Sequence, residues 1–108
     1  MKHVAYLLLP AMLIFVLTVP AAESWKGAIS DKMCGADHHG QDPVQCTRTC
    51  VKNGGAYVFV VSKDKIFDIE NQKDAKISEL LYKFAGKTVT VTGSLSADGK
   101  SVKVETIK

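Results

Sequence analysis

The spacing of apolar residues changes along the chain, and each change predicts a different element. From Val4 to Val19 the run is almost unbroken, preceded by Lys2 and followed by Pro20-Ala21-Ala22. Trp25-Lys26-Gly27-Ala28-Ile29 reads as a first strand, in which Gly27 would allow a bend or bulge. Ala56 to Ser62 contains Tyr57-Val58-Phe59-Val60-Val61, whose lack of alternation predicts a central strand covered on both faces. Lys63-Asp64 turns into a third strand over Lys65 to Ile69. Between Asp74 and Ala85 the period lengthens: Ile77, Leu80, Leu81 and Phe84 stand at i, i+3, i+4 and i+7 and share one helical face. Asp74 is placed to cap that helix and Gly86 to close it. Beyond Gly86 the period returns to two. Thr88, Thr90 and Thr92 alternate with Val89 and Val91 in a fourth strand, and Gly93 marks a bulge. Ala97-Asp98-Gly99-Lys100 then turns into a fifth strand, Ser101 to Ile107, with Val102 and Val104 on one side and Lys103 and Glu105 on the other.

The resulting string, β-β-β-α-β-β with the helix between strands three and four, is the order of a small five-stranded OB-fold-like barrel, in which ligands meet the loops between strands one and two and between four and five. A split sheet with a helix across it fits the same string. The connection from Asp31 to Gly55 is about 25 residues long, and a loop of that length is expected to be functional or internally tied. Part of it is predicted to be helical: Asp42 is a cap, Pro43 suits a first turn, Val44 to Lys52 continues, and Asn53-Gly54-Gly55 ends it.

The first apolar run changes the setting of everything after it. A basic start, a short apolar core and small residues at the end are the parts of a secretory signal peptide, and Val4 to Val19 falls short of the roughly 20 residues a membrane span needs. Residues 1–21 are therefore expected to be a leader and 22–108 a single OB-fold-like domain, periplasmic or secreted, with no membrane span in the mature chain. Thirteen of the fourteen Lys and Arg and all eleven acidic residues lie beyond the leader, for a net charge of about +2. The basic residues are dispersed, so nucleic acid is not an expected partner. An envelope protein or a small ligand at the loop between strands one and two is.

That loop concentrates the chemistry. All three cysteines of the chain, Cys34, Cys46 and Cys50, lie in it with His38 and His39. Cys46 and Cys50 are four apart and share a face of the expected short helix. Three thiolates and one imidazole, from His38 or His39, complete a structural zinc shell; the same ligands suit Cu(I), with Met33 as an added thioether. Export favours a second reading, a disulfide from Cys34 to Cys46 or Cys50 that closes the loop and leaves one redox-sensitive thiol. Cys46 with Cys50 is a poor pair, because their Cβ vectors run parallel on a helix. In the plainest reading the two His are solvated polar residues and Cys50 is a small buried apolar group. Hydrolytic and thiol-oxidoreductase activity are not expected: no Ser stands in a nucleophile motif, and Cys46 to Cys50 is one residue wider than a C-x-x-C pair.

The pattern Trp25-Lys-Gly-x-Ile-Ser-Asp-x-Met-Cys-Gly-x-x-His38, then Cys46-Thr-x-x-Cys50-Val-Lys-x-Gly and Phe84-Ala-Gly-Lys-x-Val-Thr-Val-Thr-Gly, resembles a group of small exported bacterial proteins. The resemblance spans the mature chain. It implies a single OB-like domain and makes Cys34, His38, Cys46 and Cys50 the motif positions, with Met33 in the pattern and His39 incidental. It brings no reaction with it. The reading that results is an exported, non-enzymatic binding or structural module whose Cys/His loop binds Zn or Cu, with the disulfide-stapled domain as the alternative.

Overall fold

A computed structural model describes residues 22–108; the expected leader, residues 1–21, lies outside the described residues. Seven elements follow in order: β1 (Glu23–Asp31), α1 (Pro43–Lys52), β2 (Tyr57–Ser62), β3 (Lys65–Ile69), α2 (Ala75–Phe84), β4 (Thr88–Leu95) and β5 (Ser101–Ile107). The strands close a barrel in the order β1-β2-β3-β5-β4, with β4 returning to β1. Neither helix is long and apolar enough to cross a membrane, and none other occurs among the described residues.

β1 runs longer than its apolar residues alone foretell because it serves two neighbours. Its first part, Glu23 to Ala28, pairs antiparallel with β4, and its second, Ala28 to Asp31, pairs antiparallel with β2. Gly27 sits at the handover. A side chain there would meet the Val60 carbonyl oxygen at 2.4 Å and the Phe59 ring at 2.9 Å, so only glycine lets β1 bend this close to β2. The register of β4 against β5 shifts between Thr92 and Gly93, a bulge that adds twist where the barrel curves.

β3 and β5 are the one parallel pair in the barrel, and only Asp68↔Ser101 and Ile69↔Val102 face each other. Two side chains extend this short seam. The Asn71 amide donates to the Val104 carbonyl and accepts from the Val104 N–H, standing in for a strand residue. Gln72 does the same for the start of β2, accepting from the Tyr57 N–H at 2.9 Å and donating to the Ile69 carbonyl at 3.0 Å.

The core fills the barrel. Ile29, Phe59, Phe67, Ile69, Val89, Val91, Val102, Val104 and Ile107 come from the strands, and α2 adds Ile77 and Leu81, with Leu80 and Phe84 packed at the margin. Each such side chain contributes about 1.5–3 kcal/mol by leaving water. α2 is capped by Asp74, whose carboxylate accepts from the N–H groups of Lys76 and Ile77.

Two contacts fasten α1 to the rest. Gly86, at φ +74°, donates its N–H to the Ile29 carbonyl at 2.7 Å and lies so close to α1 that a Cβ would be 2.4 Å from the Val44 nitrogen. Arg48 donates from Nε and Nη2 to the Tyr82 carbonyl, at 3.1 and 3.0 Å, near the C-terminal end of α2, and stacks over the Tyr82 ring. The connection between β1 and β2 is therefore a helix pinned to β1 and α2.

Candidate metal centre

The site begins where β1 stops. Ser30 and Asp31 are both buried, and Asp31 is fully so. Its Oδ2 accepts from the N–H groups of Met33 at 3.2 Å and Cys34 at 3.1 Å, while its carbonyl accepts from the Gly35 N–H at 2.9 Å. The chain wraps back over the carboxylate and leaves the Cys34 side chain beside it. From the other side comes α1. Asp42 caps it by accepting from the Val44 N–H, and Pro43 needs no partner in the first turn. The next turn presents Cys46, and the one after it Cys50, on the same face.

These two approaches bring Asp31, Cys34, Cys46 and Cys50 together: one ligand atom from each lies within 4.8 Å of all the others. No other group of three or more His, Cys, Asp or Glu gathers in this way among the described residues. The three cysteines are free, and the Cys34 and Cys46 sulfurs approach to 3.1 Å. The hydrogen bond shared with Cys46, then desolvation, then the Asp31 charge push the Cys34 thiol up to about 12. Desolvation, followed by the Asp31 charge, also raises Cys50. Both groups are thus thiols at neutral pH, and poor nucleophiles.

Family models, curated proteins and solved structures were compared with the chain, and none matches.

The chemistry is therefore read from the site. Asp31 Oδ1 is buried and has no hydrogen-bond partner, although a buried carboxylate oxygen ordinarily finds one. It stands among sulfurs that are themselves acceptors once ionised. A cation bound here would satisfy the orphaned oxygen and draw the thiols into their ionised form in one event. The donor set, one carboxylate and three thiolates, is one that zinc accepts.

The imidazoles lie apart from this group. The residue pattern expects His38 or His39 as the fourth ligand, and the resemblance singles out His38; the structure has Asp31 in that place. Ser30 accounts for the difference: its hydroxyl donates to the Gly35 carbonyl at 2.7 Å and stands 3.4 Å from His38 Nε2, holding the ring outside the cluster with its Nδ1 buried and unpartnered. His39 is exposed at φ +50°, its N–H donating to Asp37, with which its ring forms a surface pair. Met33 projects into solvent, 89% exposed. It stands between two grooves. One, of about 620 Å³, has Cys50, Gly54, Gly55 and Ala56 in its walls, and the other, of about 700 Å³, has Cys34, Lys63 and Ile66. Each groove thus has one cysteine of the cluster in its wall, Cys50 in the first and Cys34 in the second.

Asp31 is the member that spacing arguments missed. Its signal was an Asp at the end of a strand, three residues before a cysteine, placed to accept from the N–H groups that follow and so to be drawn inward with the turn.

Proposed function

We propose that this chain is an exported OB-fold domain that binds a divalent metal ion, zinc before copper, through Asp31, Cys34, Cys46 and Cys50, and that it works as a binding or structural module without enzymatic activity. One observation carries the reading: a fully buried carboxylate with an unpartnered oxygen, within 4.8 Å of three free thiols. The choice of zinc rests on charge and softness. Four anionic ligands leave a net charge of −2 around a divalent ion and −3 around Cu(I), and a carboxylate adds little for so soft an ion.

Several features support the rest. The closed five-stranded barrel, with β1 shared between β2 and β4 and a helix between β3 and β4, supports an OB-like reading. The apolar run and small residues of positions 4–22 support the reading of a cleaved leader. Cys34, Cys46 and Cys50 are also the motif positions of the exported group that the chain resembles. The raised thiols argue against a thiol enzyme, which needs its sulfur ionised near neutrality.

Intact mass of protein isolated from the periplasm tests the reading. Under native conditions the mass should be that of residues 22–108 plus one zinc; after denaturation with a chelator, three thiols should take up an alkylating reagent. A native mass with no metal, even after incubation with zinc under reducing conditions, would sink it.

A further inference from the structure

The three thiols of the centre are not equivalent. Cys34 arrives on the turn after β1 and faces α1, and its sulfur is 3.1 Å from that of Cys46, about 1 Å beyond the roughly 2.05 Å of a disulfide. Cys46 and Cys50 belong to the same helix face one turn apart, where parallel Cβ vectors oppose a bridge between them. Cys50 also lines the apolar groove beside Met33, Gly54 and Gly55. Small motions thus separate Cys34 and Cys46 from a covalent bond, whereas Cys50 has no helix-compatible partner on α1.

We infer, on the footing of the metal reading above, that the centre has a second, oxidised state in which a Cys34–Cys46 disulfide replaces the metal ion and Cys50 remains the single free thiol. With a small-molecule disulfide such as oxidised glutathione as oxidant, the step balances. In the zinc-loaded centre Cys34 and Cys46 are already thiolates, having given up their protons on metal binding. The Cys34 thiolate attacks one glutathione sulfur, breaks its S–S bond and expels one glutathione thiolate. The sulfur of Cys46 then attacks the Cys34 sulfur of the mixed disulfide and expels the second. Cys34 and Cys46 together lose two electrons, the glutathione disulfide gains them, and the two departing thiolates take protons from water. Two of the four ligands are consumed. Asp31 and Cys50 alone do not hold zinc against water, so the ion leaves hydrated.

The bridge and the metal are mutually exclusive, which makes the site a sensor of thiol redox poise rather than a permanent staple. Position matters as well as chemistry: the bridge closes the loop across the turn from Asp31 to Pro43 without involving the helix end at Cys50.

The test treats the zinc-loaded chain, isolated as residues 22–108, with oxidised glutathione, and follows released zinc with a chromophoric chelator while alkylation and peptide mapping locate the thiols. One zinc should be released per disulfide formed, the protein mass should fall by about two hydrogens, and only Cys50 should be alkylated. Cys50→Ser should still form the bridge, and Cys46→Ser should not. Zinc retained with three alkylatable thiols overturns the switch and leaves the metal reading standing. A bridge through Cys50 overturns the pairing. If the mass before oxidation shows no zinc, the metal reading falls and takes the switch with it.

Discussion

Asp31 is the residue on which the centre turns. It serves the fold through Oδ2, which holds the Met33 and Cys34 N–H groups, and is free for chemistry through Oδ1. Asp31→Asn separates the two roles, since an amide oxygen still accepts from those N–H groups while the NH₂ replaces the ligand oxygen. Zinc affinity should fall by at least about tenfold, with the fold retained, as read by competition against a chelating dye and by circular dichroism. A pH series adds the proton count. Cys34, raised to about 12, and Cys50, also raised, both enter the metal-free state protonated, so each must lose a proton on binding. Affinity then tightens as the pH rises, by about tenfold per unit for each thiol proton displaced and so by at least about 100-fold per unit, and weakens correspondingly as it falls; a flat profile between pH 6 and 8 would contradict thiolate ligation. The three cysteines were legible from residue type and from their gathering in one connection. Asp31 was not, because an acidic residue after a strand usually meets water, and its burial depends on α1 closing over it.

At the scale of elements, spacing told most. Ile77 and Leu81 are buried on one face of α2 and the Thr/Val alternation is β4, as the period changes indicate. Asp42-Pro43 starts α1 for reasons local to those two residues. What spacing could not tell is which elements touch. Glu23 and Ser24 look like loop residues until β4 is there to pair with them, and Asn71 and Gln72 look like turn residues until Val104 and Tyr57 are opposite. Gly86 is the clearest case of a local residue with a distant reason. It and Gly99 have nearly the same φ, +74° and +71°, yet a Cβ at Gly99 meets nothing within 4 Å and one at Gly86 runs into Pro43 and Val44. Gly99→Ala should therefore cost about 1 kcal/mol for the backbone alone, and Gly86→Ala at least about 2 kcal/mol more for the collision. Urea denaturation of the two variants measures the difference, and equal losses would show that α1 moves aside freely.

The whole domain is small enough that its centre matters to its stability. A single barrel core in fewer than a hundred residues is modest, and such domains gain from a staple across a long connection. Zinc held at a thousand times its Kd adds about 4 kcal/mol, which in a domain of this size is roughly 15–30 °C in melting temperature. Addition of a strong chelator to the reduced protein should lower the melting temperature by that order; an unchanged melt would mean that the loop is tied without metal. The double duty of β1 has one more consequence, in the order of assembly. All four ligands, Asp31 to Cys50, have emerged from a chain made from its N-terminus well before residues 88–93, the β4 partners of β1, exist. Until then the outer edge of β1 has no neighbour in its own chain. An ion gripping the end of β1 and the turns of α1 would give that waiting strand a fixed anchor, so the time at which metal is met, and not only its affinity, decides how long an open edge is presented to other chains.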